Sequence, residues 1–200
     1  MQTHQNHSPE KSLLVIIDFI NDIADKSGKL GGQNSQYIAE HNVIENVNKA
    51  IGYARGASIK IAHIKVGFSP SYIECPCHSP IFGNAKKTGA LQLNTWGTDF
   101  LDAIDVHRQD FIVIKHRVSA LYNTNLTCVL TANHINNIII AGISTDMAVE
   151  ATSRDAHDQD YRITVLEDAC AAADTKRHQA SINNLARIAR VQTVDQWIHG

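Results

Sequence analysis

The sequence predicts an α/β protein, a single domain built on a doubly wound parallel sheet with helices on both faces. Three observations carry that prediction. Short apolar runs alternate with amphipathic stretches along most of the chain. Neither an internal repeat nor a linker interrupts the alternation. Finally, 200 residues suit an open sheet better than a closed eightfold barrel, which takes about 250. A chain of this length buries about 70% of its unfolded surface and needs no metal or disulfide staple.

Residues 1–12 read as a polar tail and residues 13–200 as the domain. Leu13 to Ile17 is a continuous apolar run ending in Asp18, which suits a strand buried on both faces. Ile38 to Arg55 reads as one helix, with Val43, Ile44, Val47, Ile51 and Ala54 on the 3.6-residue period and Gly56 as its stop. Ile59 to Val66 is a second strand, of mixed alternation and so placed near an edge. Gly67 to Thr98 holds three of the four prolines and lacks clear periodicity; long loops in compact domains usually serve function. Phe111 to Ile114, ending in Lys115, is the third strand, and Leu126, Val129 and Leu130 mark the helix after it. Asn137 to Ala141 is the fourth strand, and Gly142 to Asp146 turns directly into a helix that runs to about Asp158. Arg162 to Leu166 is the fifth strand; Ile182, Leu185 and Ile188 give a last helix, and Val191 to Val194 a short edge strand. This is a Rossmann-like alternation, whose crossovers are right-handed.

Composition narrows the function classes. Lys plus Arg number 18 against 20 Asp plus Glu, with no block of like charge, which argues against nucleic-acid or membrane-surface partners. Met1 to Ser12 contain no apolar core of a secretory signal, and the longest apolar runs fall short of the roughly 18 residues a membrane helix needs. A reducing cytoplasm is the expected compartment for the four cysteines. Cys75-Pro76-Cys77-His78 has the composition of a metal cluster but tighter spacing than zinc sites, and no second pair follows. The turn after the first strand is Phe-Ile-Asn-Asp, with no glycine-rich phosphate loop. No metal and no cofactor is expected; the expected partner is a small-molecule substrate.

Ligands of open α/β sheets bind beyond the carboxyl ends of the strands, where the strand order reverses. In the common order 2-1-3-4-5 the first and third strands are neighbours there, so Asp18 and Lys115 face each other. The first amides of the helix after the fourth strand, near Met147 to Val149, then point into the same space as an oxyanion site. Phe19 and Trp96 are candidate apolar walls for a substrate, with Ile143, Ser144 and Met147 on the turn. Ser144 and Thr145 read as helix caps rather than nucleophiles.

Three stretches carry a family resemblance: VIIDFIND around Asp18, IKHRVSAL around Lys115, and AGISTDMAVEATSRDAHDQDY. They resemble, in order and spacing, the signatures of the isochorismatase-like hydrolases, a superfamily that includes nicotinamidases, N-carbamoylsarcosine amidases and ureidoacrylate amidases. The resemblance implies the doubly wound fold, a homo-oligomer, a cis peptide at Ile143–Ser144, and a catalytic set of aspartate, lysine and cysteine. The aspartate and lysine map to Asp18 and Lys115. The cysteine is the seventh residue of the segment opening at Gly142, and that residue here is Ala148.

A methyl group cannot attack a carbonyl, so covalent thiol chemistry cannot run through position 148 as the sequence stands. Three functions fit. One is an amidase-type site for a small polar amide, ureide or carboxylate whose nucleophile has been replaced by Ala148, naturally or as a trapping change. Another is isochorismatase-type vinyl-ether hydrolysis, with Asp18 as general acid and Lys115 orienting a substrate carboxylate. The third is non-catalytic binding of a small molecule.

Overall fold

The computed structural model describes residues 9–200; positions 1–8 of the expected tail lie outside the described residues. Pro9–Lys11 form a single 3₁₀ turn, and the first strand starts one residue earlier than expected. The strands are β1 (Ser12–Ile17), β2 (Lys60–Val66), β3 (Phe111–Lys115), β4 (Asn137–Ile143), β5 (Arg162–Ala171) and β6 (Arg190–Gln192). The helices are α1 (Asn21–Ala24), α2 (Gly32–Glu40), α3 (Val43–Gly56), α4 (Ala85–Thr88), α5 (Leu126–Ala132), α6 (Glu150–His157), α7 (Thr175–Leu185) and α8 (Val194–His199).

All five strand pairings are parallel, and the sheet runs β3-β2-β1-β4-β5-β6. This is the doubly wound class expected, with a different order: β2, not β3, lies beside β1. The order reverses between β1 and β4, so the end of β1 and the Gly142 turn flank the switch point. β2 lies one strand in from the β3 edge, near an edge as expected, yet paired on both sides, which explains why five of its residues are buried. The open edges are β3 and β6.

Alternation along β1 divides the core in two. Leu13, Val15 and Ile17 pack with Leu126 and Leu130 of α5, Ala156 of α6, and Ile182 and Leu185 of α7. Leu14 and Ile16 pack on the other face with Val43, Val47, Ile51 and Ala54 of α3 and Val194 of α8. Period-2 side chains on a strand covered from both sides require this split. The helix expected over Ile38 to Arg55 is two, broken at His41–Asn42, where Asn42 takes φ 52°. The apolar spacing survives the break because Tyr37, Ile38 and Val43 still meet the same core.

The long loop is not loose. Val66, Phe68, Tyr72, Phe82, Ala90 and Leu91 form a third apolar cluster that joins Ile20. The Phe68 amide donates to Leu91 O (2.8 Å) and the Leu93 amide to Phe68 O (2.8 Å), fastening the loop back on itself.

Gly142 is paired with Ile17 at the end of the β1–β4 ladder. A Cβ there would lie 2.7 Å from Ile17 Cβ and 3.0 Å from Ile17 O, contacts that backbone packing cannot relieve cheaply. Gly142→Ala is therefore expected to cost about 1–3 kcal/mol in urea unfolding; an unchanged midpoint would contradict this account of the β1–β4 contact.

Candidate active site

Asp18 follows directly on β1 with φ 58°, a left-handed conformation that aspartate tolerates better than most residues. Its amide still continues the sheet, donating to Ile64 O at 2.9 Å. The turn swings the carboxylate over the end of β2, where Oδ1 accepts from the Val66 amide at 2.8 Å. Lys115, level with Val66 on β3, extends across β2 and places Nζ 2.7 Å from Asp18 Oδ2. Strands lie about 4.8 Å apart, so a pair two strands apart meets only because both side chains lean over the strand between. Both residues are 2% exposed.

Lys115 Nζ also donates to Arg117 O (3.2 Å) and Val118 O (3.0 Å). An ammonium has three donors, and here all three are engaged. Lys115 therefore has no N–H left to orient a substrate carboxylate, a role expected of it from sequence. Burial pushes the Asp18 carboxyl above the usual carboxylate range, against the opposing pull of Lys115 and the Val66 amide.

β4 ends in the Ile143–Ser144 peptide, which is cis, as the family resemblance implies. A π-helical turn, Thr145–Val149, then leads into α6. The amides of Met147 and Val149 both donate to Ser144 O, each at 3.2 Å. These two amides are thus turned along the helix rather than into the cavity, contrary to the sequence expectation for them. Ser144 stands at the N-cap position without a side-chain cap bond, so the expected capping role does not apply to it. The Thr145 hydroxyl instead meets His178 Nδ1 at 2.9 Å, and Ser181 Oγ donates to Thr145 O at 2.9 Å, fixing the turn from α7.

Asp18, Lys115, Ile143, Ser144, Met147 and Ala148 share the lining of one cavity of about 210 Å³. Two candidates fall outside it. Phe19 is fully buried in the opposite core with Leu14 and Ile16, because the left-handed turn at Asp18 breaks the strand alternation and puts Phe19 on their face of the sheet. Trp96 is 52% exposed on a 3₁₀ turn, and its carbonyl accepts from Asn21 Nδ2 at 2.8 Å; it braces α1 and lines no part of the cavity. The walls come from residues that sequence reasoning did not single out: Ile23, Leu30, Ile81, Phe82, Leu91 and Val118.

Asp22 was missed as well. Its buried carboxylate accepts from the Leu91 amide (2.7 Å) and the Lys29 amide (3.2 Å), so it holds two wall segments in place. The one available signal was an acid in a short helix next to an apolar strand, which reads equally well as a solvated first turn.

No cysteine lines the cavity. Cys75 and Cys77 bond within their own loop, to Phe82 O and Cys75 O. Cys170 lies buried on β5, and burial pushes its thiol up to about 12, which keeps it protonated. Among the described residues, no group of three or more His, Cys, Asp or Glu is arranged to hold a metal. Nor, among them, is any helix long and apolar enough to cross a membrane.

A buried carboxylate–ammonium pair next to the switch point of a parallel sheet, sharing a cavity with a strand-to-helix turn, is the kind of site a hydrolase of the α/β class carries. The model of the isochorismatase domain matches residues 12–196, and the chain belongs to that family of hydrolases. Ureidoacrylate amidohydrolase RutB of Acinetobacter baylyi is 31% identical over 191 residues, covering 89% of this chain and 78% of the relative. Its counterpart in Methylorubrum extorquens is 33% identical over 203 residues, covering 94% and 79%. Among solved structures, a cysteine hydrolase from Pseudomonas syringae superposes with a TM-score of 0.87 at 20% identity, over 96% of this chain and 92% of its own. The N-carbamoylsarcosine amidase of Thermoplasma acidophilum gives 0.72 at 25% identity, over 92% and 97%.

Lys115→Met leaves the Asp18 carboxylate buried without its cation, which is expected to cost about 3–5 kcal/mol near neutral pH. The orphaned carboxyl takes a still higher folded pKa than the already raised one, so its penalty grows as pH rises and shrinks as pH falls. Urea unfolding between about pH 5 and 7.5 checks this; a cost that does not change with pH would contradict it.

Proposed function

We propose that this chain is an amidase-type member of the isochorismatase family whose cavity holds a small amide or ureide, with Ala148 at the nucleophile position. The observation that carries the reading is the buried Asp18–Lys115 pair sharing one cavity with Ala148. The names of the two curated relatives, both ureidoacrylate amidohydrolases, support the amide or ureide class. In this reading Asp18 is the acid–base group and Lys115 sets its charge state. The amide of Ala148, on the turn, is the candidate donor to the oxyanion. The reaction needs no cofactor or metal, and the protein works in the cytoplasm. Exposed Ile112 and Ile114 on the open edge strand β3 support assembly with identical copies.

A thiol at position 148 would give its proton to Asp18 and attack the carbonyl carbon. The leaving amine would depart with that proton, and water would then hydrolyse the thioester. Ala148→Cys is therefore expected to raise turnover of a panel of simple amides and ureides on the order of 10³-fold or more. A folded Ala148→Cys protein with no gain would overturn the reading.

One observation favours a second reading, vinyl-ether hydrolysis with Asp18 as the acid: burial raises its carboxyl, as a proton donor requires. Release of pyruvate from isochorismate by the unaltered chain, lost in Asp18→Asn, would replace the first reading with this one.

A further inference from the structure

We infer that the cavity selects an uncharged amide or ureide with an apolar body and rejects one that carries a carboxylate. The inference rests on reading this cavity as the substrate site, and it departs from the acrylate anion in the relatives' names.

Among the described residues the only charged side chains in the lining are Asp18 and Lys115, and its other polar side chains are Asn34 and Ser144. All three donors of Lys115 are taken, by Asp18 Oδ2, Arg117 O and Val118 O. The nearest guanidinium along the chain, Arg117, lies outside the lining and donates through Nη1 to Glu74 O (2.9 Å) and His116 O (2.6 Å). A carboxylate entering the cavity would thus find no free cation, and it would approach a carboxyl group already present. Burying an anion unpaired costs several kcal/mol.

The walls reward the opposite chemistry. Ile23, Leu30, Ile81, Phe82, Leu91 and Val118 surround the pair. Leu30 and Ile81 are each 46% exposed and Met147 is 39% exposed, so the rim is apolar as well. Each methylene that a ligand buries against such walls tightens binding about fourfold. At about 210 Å³ the space is smaller than the roughly 300–1,000 Å³ of pockets for drug-sized ligands. It fits a short acyl or alkyl chain behind the amide.

Calorimetric titration of the unaltered chain tests this without relying on turnover. The probes are neutral and anionic pairs of similar length: butylurea against 3-ureidopropionate, and hexanamide against 5-carbamoylpentanoate. The neutral member is expected to bind at least tenfold more tightly in each pair. Leu30→Arg, a substitution at the exposed rim, is expected to raise affinity for the anions about tenfold. Anions binding as tightly as their neutral partners to the unaltered chain would overturn the inference and leave the cavity as the ligand site. A preference unmoved by Leu30→Arg would place binding elsewhere and overturn it too. No binding by any probe would overturn the reading of the cavity itself, and the inference with it.

Discussion

A carboxylate and an ammonium, both almost wholly removed from water, meet over the end of β2, beside the point where the strand order of the sheet reverses. Two isolated charges could not occupy that place, since each would carry a desolvation penalty of several kcal/mol. Together, with the Val66 amide and two backbone carbonyls completing their hydrogen bonds, they are tolerated. The rest of the site is arranged around that tolerance. The left-handed turn at Asp18 aims the carboxylate, β2 supplies the amide beneath it, and the backbone after β3 supplies the carbonyls that cap Lys115.

What the pair does depends on the turn across the crevice. Thr145, held by His178 and Ser181, anchors the start of the π-helical turn, and Ala148 presents a methyl group to the cavity. In the proposed function an acid–base group therefore faces a position without a nucleophile, in a family whose relatives here are named amidohydrolases. The cavity has apolar walls, a fixed loop and a polar centre, which on that proposal form the binding surface. This separation between binding parts and reacting parts makes position 148 the informative one.

Much of this was legible in the sequence, for definite reasons. Apolar runs that end in a charge marked β1 and β3, and so marked Asp18 and Lys115 before any geometry was known. Periodicity recovered α3, α5 and α7 because each has one buried face. The strand order was not legible, since it depends on which side each crossover helix packs, and local pattern does not record that. β5 continues past Leu166 to Ala171 through a register shift opposite Gly142, where the polar Glu167 and Asp168 hide the strand. α8 was overlooked although Thr193 and Gln196 form a capping box at its start. Three of the cavity's walls, Ile81, Phe82 and Leu91, escaped notice because they come from a loop whose apolar residues follow no period, where Asp22 ties Leu91 down; Ile23, Leu30 and Val118 lie in short connections with no pattern of their own.

The energetic coupling between Asp18 and Lys115 tests the central claim most directly. A double-mutant cycle with Asp18→Asn, Lys115→Met and the combined variant, followed by urea unfolding at neutral pH, measures it. Two groups sharing one buried bond predict a coupling of about 1–3 kcal/mol, with the double variant no less stable than the worse single one. Effects that add to within about 0.5 kcal/mol would mean the two side chains do not meet, and the site described here would not exist.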